Sequence, residues 1–278
     1  MLSYRHAFHA GNHADVLKHL AEVLILDYLL QKGDKPLRYI DTHSGPGSYS
    51  LTSEFAQLNA EFETGIARLW QRRDLPAPLQ RYVELVGEFN GERLQTYPGS
   101  PAFARALLKP RDRLQLFELH PDDAVRLERW GAGDKRVRVC REDGFKQLSA
   151  ILPPAERRAL VVIDPPYEVK QDYQRVISSL ETALRRFATG VYLIWYPLLA
   201  RPEVAAMVKK LKQMSPRHLH AELRVKDPVA GGMYGSGVFV VNPPWPLREQ
   251  LQLSLPYLQN VLAQDTSATS LLTAQGLD

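Results

Sequence analysis

The chain has 278 residues, 45% of them hydrophobic, and carries 35 Lys and Arg against 31 Asp and Glu for a net charge of +4. That is enough chain to bury a full α/β core, with a basic excess too small for a polycationic tail protein but compatible with phosphate contacts. The single cysteine, Cys140, excludes an intramolecular disulfide, and the densest apolar run, residues 23–30, is short and broken by Asp27, so neither a secretory signal nor a membrane span is expected. A cytoplasmic, soluble protein follows as the expectation, with a monomer as the default.

The first 13 residues are polar and aromatic, and Asn12 is placed to cap a helix whose third residue is Asp15 and whose apolar stripe is Val16, Leu20, Val23, Leu24 and Leu30. His6, His9, His13 and His19 have no cysteine partner and are split between loop and helix, so hydrogen-bonding or base-facing roles are expected in place of a metal site. Lys18 and His19 fall on the first turns of that helix, either as solvated polar residues or as contacts to a cofactor or nucleic acid. Residues 37–41 read as a short strand running into His43-Ser44-Gly45-Pro46-Gly47, a turn where glycine lets backbone approach a ligand.

Residues 51–89 carry helical spacings, and residues 51–96 are expected to form an inserted helical subdomain. Tyr97-Pro-Gly-Ser100-Pro101 reads as a loop with Ser100 capping a helix that begins at Pro101, a place where a hydroxyl and a helix N-terminus can hold a carboxylate. Arg113 to Phe117 is a second core strand ending in Glu118, and Arg136 to Cys140 a third, followed by Asp143-Gly144. Each acid taken singly is also readable as an ordinary loop residue. Their order is informative: glycine turn, acid, acid and then Asp164-Pro165-Pro166-Tyr167, each following a strand.

Residues 159–163, Ala-Leu-Val-Val-Ile, are a buried strand stopped by Asp-Pro-Pro, because two prolines lack N–H donors and fix φ. The Asp164 carboxylate, the carbonyls of Asp164 and Pro165, and the Tyr167 ring suit a planar base with an exocyclic amine, which donates two hydrogen bonds while its ring stacks. A helix is expected over residues 171–187, a fifth strand over 190–197, and an amphipathic helix over 202–214 whose Lys209, Lys210 and Lys212 form a solvated face or a phosphate patch. Two last strands, near 218–225 and 237–241, flank a glycine-rich loop over 231–237 that would close over a substrate. A helix over 247–262 and a disordered tail complete the chain. Asn242-Pro-Pro-Trp245 also satisfies the four-letter pattern but comes two strands too late, and reads as a structural strand end.

The tetrapeptide resembles the (Asp/Asn/Ser)-Pro-Pro-(Tyr/Phe/Trp) motif of S-adenosylmethionine-dependent amino-methyltransferases, in which Asp is typical of adenine N6. The N-terminal segment Met1 to His19, together with Asp41-Thr-His, Tyr97-Pro-Gly-Ser-Pro, Glu118-Leu-His-Pro, Ile163-Asp-Pro-Pro-Tyr, Trp195-Tyr-Pro and Asn242-Pro-Pro-Trp, resembles the bacterial 23S ribosomal RNA adenine-N6 methyltransferases over nearly the whole chain. That resemblance implies a Rossmann-like methyltransferase fold: a mostly parallel seven-stranded sheet with helices on both faces, formed by residues 1–50 and 97–278 around the inserted subdomain. It implies that His19, His43, Ser100, Glu118, Asp143 and Gly144, with Asp164, bind S-adenosylmethionine. Asp164, Pro165 and Tyr167 would perform the chemistry, Tyr4, His6 and Lys18 would face the RNA, and no metal would be needed. DNA adenine methylation, or a non-catalytic RNA-binding assembly factor on the same fold, are the alternatives. Asp in place of Asn at the first motif position argues against glutamine methylation.

Overall fold

A computed structural model describes residues 5–31, 35–228 and 232–277. After a 3-10 turn the chain forms α1 (His13–Gln31) and β1 (Arg38–Asp41), then β2 (Ser48–Ser50), α2 (Glu54–Asn59), α3 (Ala77–Gly87), β3 (Thr96–Pro98) and α4 (Ser100–Leu107). The second part alternates β4 (Arg113–Phe117), α5 (Pro121–Gly131), β5 (Val137–Cys140), α6 (Gly144–Ile151), β6 (Ala159–Ile163), α7 (Gln171–Arg186), β7 (Val191–Leu199) and α8 (Pro202–Met214). It closes with β8 (His218–Arg224), β9 (Met233–Val241), α9 (Leu247–Val261) and β10 (Thr269–Gln275).

The main sheet has eight strands in the order β10-β8-β9-β7-β6-β1-β4-β5. Strands β5, β4, β1, β6 and β7 pair in parallel, whereas β9 runs against both β7 and β8, and β10 runs against β8. The chain moves outward from β1 to β4 and β5, then returns to place β6 on the other side of β1. This reversal opens a crevice at the carboxyl ends of the parallel strands, where ligands bind in open α/β sheets. Alternate residues of the central strands feed two apolar layers. One joins Leu114, Leu116, Leu160, Val162 and Leu193 to α1, α3, α4 and α9, and the other joins Ile40, Val161, Ile163 and Ile194 to α6, α7 and α8.

Three expectations are corrected here. The sheet has eight strands where seven were expected, because the tail expected to be disordered forms β10, which pairs with β8 from Thr269↔Arg224 to Gln275↔His218. Its sequence, Thr-Ser-Leu-Leu-Thr-Ala-Gln, has little β-branched content; a backbone ladder on an open edge supplies what side-chain pattern does not. The glycine-rich stretch expected to be a closing loop is strand from Met233 onward, while Gly231 lies outside the described residues. Ser48–Ser50 pairs antiparallel with Thr96–Pro98, which brings the two ends of the segment 51–95 together.

Helix α1 is enclosed nearly all round: every residue from His13 to Leu26 is buried, the polar ones included. Asn12 caps it as expected, its Oδ1 accepting from the amides of Ala14 and Asp15 at 2.9 and 3.0 Å. Burial holds the His13 imidazole neutral, with its pKa pushed down to about 4. A depressed folded-state pKa makes this histidine's contribution full above about pH 6.5, and it is lost progressively as the pH falls toward 4. The expected loss is about 3 kcal/mol. Urea unfolding of wild type and His13→Gln at pH 7.5 and pH 4.5 should therefore show a smaller pH-dependent drop in the variant.

Candidate active site

The ends of five strands meet at one cavity of about 530 Å³. From β1 come Thr42, His43, Ser44 and Gly45; from β4, Glu118; from the turn after β5, Asp143 and Gly144; from β6, Asp164, Pro165 and Tyr167; and from β7, Trp195 and Pro197. Helix α1 closes the cavity with Asp15, Lys18 and His19, and Ser100 enters from the start of α4. Every described residue expected at the site therefore lines one cavity, His6 included, while Tyr4 lies outside the described residues.

Asp164 follows the fully buried β6 and turns its carboxylate into the cavity, where Oδ2 accepts from Lys18 Nζ at 2.5 Å. The same ammonium lies 3.1 Å from Asp15 Oδ1, and Asp15 Oδ2 lies 2.9 Å from His6 Nε2. Lys18, expected to be a contact to RNA, thus places its charge inside the protein on the carboxylate of the motif. Burial alone would lower its proton affinity, but Asp164 and Asp15 outweigh burial and keep it protonated. The Asp15 carboxylate is likewise opposed by burial yet held well below its ordinary range by His6, Lys18 and His19.

Tyr167 also lines the cavity, but it is only 3% exposed and does not offer the open stacking face expected of it. Its hydroxyl donates to the Trp195 carbonyl at 2.7 Å, its ring packs 4.8 Å from Tyr173, and its φ is +52°. A non-glycine residue held there stores local strain of order 1–3 kcal/mol, which the surrounding contacts must offset. The half-buried aromatic wall is Trp195, whose indole N–H finds no acceptor among the described residues.

On the opposite side Glu118 is held by two amides, Oε2 accepting from Gly45 at 2.8 Å and Oε1 from His120 at 2.7 Å. Burial nevertheless raises its pKa. Gly45 and Gly47 take φ of +60° and +91°, the turn that lets the Gly45 amide reach this carboxylate. Asp143 caps α6 and accepts from Phe145 N at 3.1 Å, while its second oxygen accepts from Arg175 at 2.5 Å. Ser100 corrects another expectation: Gly99, not Ser100, is the N-cap of α4, and the Ser100 hydroxyl donates to Asp41 at 2.5 Å. Burial raises Asp41 to about 6, against the hydrogen bonds from Ser100 and the His43 amide. His19 Nδ1 bonds the Tyr97 hydroxyl at 2.7 Å, leaving Nε2 buried in the cavity wall without a partner among the described residues.

The sequence from 34 to 272 matches the family model described as Ribosomal RNA large subunit methyltransferase D, RlmJ. The chain is 50% identical over 265 residues to Ribosomal RNA large subunit methyltransferase J of Escherichia coli, covering 94% of each protein. To the protein of the same name from Haemophilus influenzae it is 47% identical over 269 residues, covering 95% of each. The chain belongs to the RlmJ family. A Legionella pneumophila protein of known crystal structure, 35% identical, superimposes with a TM-score of 0.90 over 96% of this chain and 99% of that one. As a member of this family the chain is a methyltransferase whose cofactor is S-adenosylmethionine.

The cavity suits that cofactor on its own terms. It offers a carboxylate at the end of β4, an orphaned imidazole nitrogen on His19, and a tight glycine cradle at Gly144. A Cβ on Gly144 would sit 2.2 Å from the Thr42 carbonyl oxygen and 2.7 Å from Thr42 Cα, both backbone atoms that cannot swing away. Gly144→Ala in this methyltransferase is therefore expected to lose roughly 1–3 kcal/mol of stability by overpacking and to weaken cofactor binding. Urea unfolding and calorimetric titration with S-adenosylmethionine check both.

Asp15, Asp41, Arg175 and Trp195 were not identified from sequence as site residues. A signal existed for Asp15: with Lys18, His19 and Glu22 it forms an i, i+3, i+4, i+7 stripe that puts four polar groups on one face of an otherwise apolar helix. The rival Asn242-Pro-Pro-Trp245 lies at the end of the strands opposite the cavity, because β9 runs antiparallel and Val241 pairs with Tyr192 at the start of β7. There Asn242 Nδ2 donates to the carbonyls of Ala188 and Gly190 at 2.8 Å each, a strand-end clasp. Among the described residues no three His, Cys, Asp or Glu side chains converge as a metal site, and no helix is long and apolar enough to cross a membrane.

Proposed function

We propose that this chain methylates N6 of an adenine in 23S ribosomal RNA, with Asp164, Pro165 and Tyr167 at the reacting base. His19, His43, Ser100, Glu118, Asp143 and Gly144 hold the cofactor in this reading. The observation that carries it is the single cavity in which the Asp164 carboxylate faces the groups at the ends of β1, β4 and β5. Bound S-adenosylmethionine supplies a methyl group on a positively charged sulfur.

The chain's own residues do the rest. An adenine amine is a poor nucleophile because its lone pair is delocalised into the ring. When its two hydrogens are accepted by Asp164 and the Pro165 carbonyl, the nitrogen is favoured to pyramidalise and aim its lone pair at the methyl carbon. Holding both reactants in line supplies much of the rate. As the N–C bond forms one N–H proton must leave, and Asp164 is the acceptor in reach. Its contacts through Lys18 and Asp15 to His6 keep the carboxylate fixed in place.

Trp195, in place of the enclosed Tyr167, is the ring on which the base stacks, while Tyr167 holds the wall through its bond to the Trp195 carbonyl. A base reaches such a pocket only when unpaired or turned out of its stack. Glu118, fixed by two amides, retains acceptor capacity for ribose hydroxyls, and His19 Nε2 can donate to a carboxylate.

The test is transfer of radiolabelled methyl to deproteinised 23S RNA, followed by nucleoside mass spectrometry. N6-methyladenosine in the RNA is the expected product. Methylcytosine, transfer to DNA in preference to RNA, or no transfer would overturn the reading.

A further inference from the structure

Beside the methyl-transfer cavity lies a second, open groove of about 630 Å³, between α8 and residues of β8, β9 and β10. Leu199, at the end of β7, lines both cavities, which places them side by side. One wall is a helical stripe of Val204, Ala205, Val208, Lys209 and Lys212. Arg201 stands at the start of α8, and Arg224 ends β8 level with Gly235, which pairs in turn with Leu198 of β7.

Arg201, Lys209, Lys212 and Arg224 thus face one groove whose only lining acid among the described residues is Glu222, and that carboxylate is buried against the Tyr196 hydroxyl and Arg224. Among the described residues Arg201, Lys209 and Lys212 form no ion pair. The opposite rim has the reverse character. Glu118, Asp123, Asp143 and Asp172 line it, and Arg175 there is already paired with Asp143 and Asp172. A polyanion with one base in the cavity is repelled from the acidic rim and drawn over the basic one.

We propose that this groove carries the phosphate backbone of the RNA strand beside the target nucleotide, with Lys209 and Lys212 as phosphate contacts. The proposal rests on the RNA-methyltransferase reading above and extends it by assigning the strand a direction across the protein. Tyr234 and Leu271 give the groove an apolar face for a neighbouring base.

The experiment compares wild type, the double variant Lys209→Ala/Lys212→Ala, and Lys210→Ala, which removes a charge from the same helix outside the groove. Filter binding of a radiolabelled 23S RNA transcript over a salt series, RNA methyl-transfer kinetics and calorimetric cofactor binding are measured for each. In the double variant the slope of log affinity against log salt is expected to fall by about 1 for each lysine. Its KM for RNA rises roughly tenfold with kcat little changed, since only uniform binding is lost. Cofactor affinity is unchanged, and Lys210→Ala behaves as wild type. An unchanged slope in the double variant overturns the proposal and leaves the groove to an acidic protein surface. An equal fall in Lys210→Ala also overturns it, because the effect is then general charge. Should the double variant show the lower slope while wild type transfers no methyl to RNA, the groove stands and the methyltransferase reading of the substrate falls.

Discussion

Asp164→Asn is expected to lower kcat for methyl transfer to 23S RNA by about 10²–10⁴-fold, the range for loss of a positioned proton acceptor. Cofactor affinity should stay within a few-fold of wild type. The physical reason is specific to the site. An amide at this position still presents one carbonyl oxygen to the adenine amine but cannot take the proton released when the N–C bond forms. The substitution also removes the negative partner of Lys18, whose side chain is 6% exposed, although Asp15 remains 3.1 Å from the ammonium. Stability should therefore fall less than in a variant that strips the cation from both carboxylates. Single-turnover methyl transfer combined with calorimetric cofactor titration separates the two effects. Retention of wild-type kcat would remove Asp164 from the chemistry.

Lys18→Met is expected to have the largest effect on stability. It leaves Asp15, which is 1% exposed, and Asp164 as neighbouring carboxylates without the ammonium that joins them. Removing one partner from a buried charge cluster typically costs about 3–5 kcal/mol, because an uncompensated charge is left in a poorly solvated place. Methyl transfer should fall as well, since the ammonium that holds the Asp164 carboxylate in place is gone. Combining Lys18→Met with Asp164→Asn relieves the repulsion, so the double variant should be more stable than the sum of the single changes implies. A coupling energy between 0.5 and 3 kcal/mol is the ordinary range for residues in direct contact. Urea unfolding of the four proteins in the cycle measures it, and strict additivity would refute the coupling.

The arrangement explains why so much polar chemistry can sit beside a fully apolar sheet centre. Burial raises Glu22 well above its ordinary range, with Asp41 pushing it further, so it holds a proton, and the Tyr39 hydroxyl stands between it and Asp41. Close by, Lys18 pairs with both Asp15 and Asp164, and Asp15 is held ionised by its neighbours. Two carboxyl groups on one helix, Glu22 and Asp15, are thereby held in opposite protonation states by their neighbours and not by residue type.

Much of this was legible from the sequence alone. Alternating runs ending in Glu118 and ahead of Asp143-Gly144, and the continuous apolar run ending in Asp164-Pro-Pro-Tyr167, give strand identity and strand ends directly, because a strand's hydrophobic pattern and the residues that stop it are local properties. Ligands in an open α/β sheet gather at those ends, so the acids could be assigned to one site before their distances were known. What only the tertiary structure decided is where each side chain spends its polar capacity. Ser100 bonds to Asp41, Lys18 turns inward to Asp164, the Tyr167 ring is enclosed, and β10 finds an edge on β8. Each of these depends on a partner 59 or more residues away along the chain for the first two, and on packing against Trp195 or pairing with β8 for the others. Pattern along a chain records which face a residue takes within its own element; it carries no record of which distant group stands opposite, and that is what sets charge, proton affinity and access in the site.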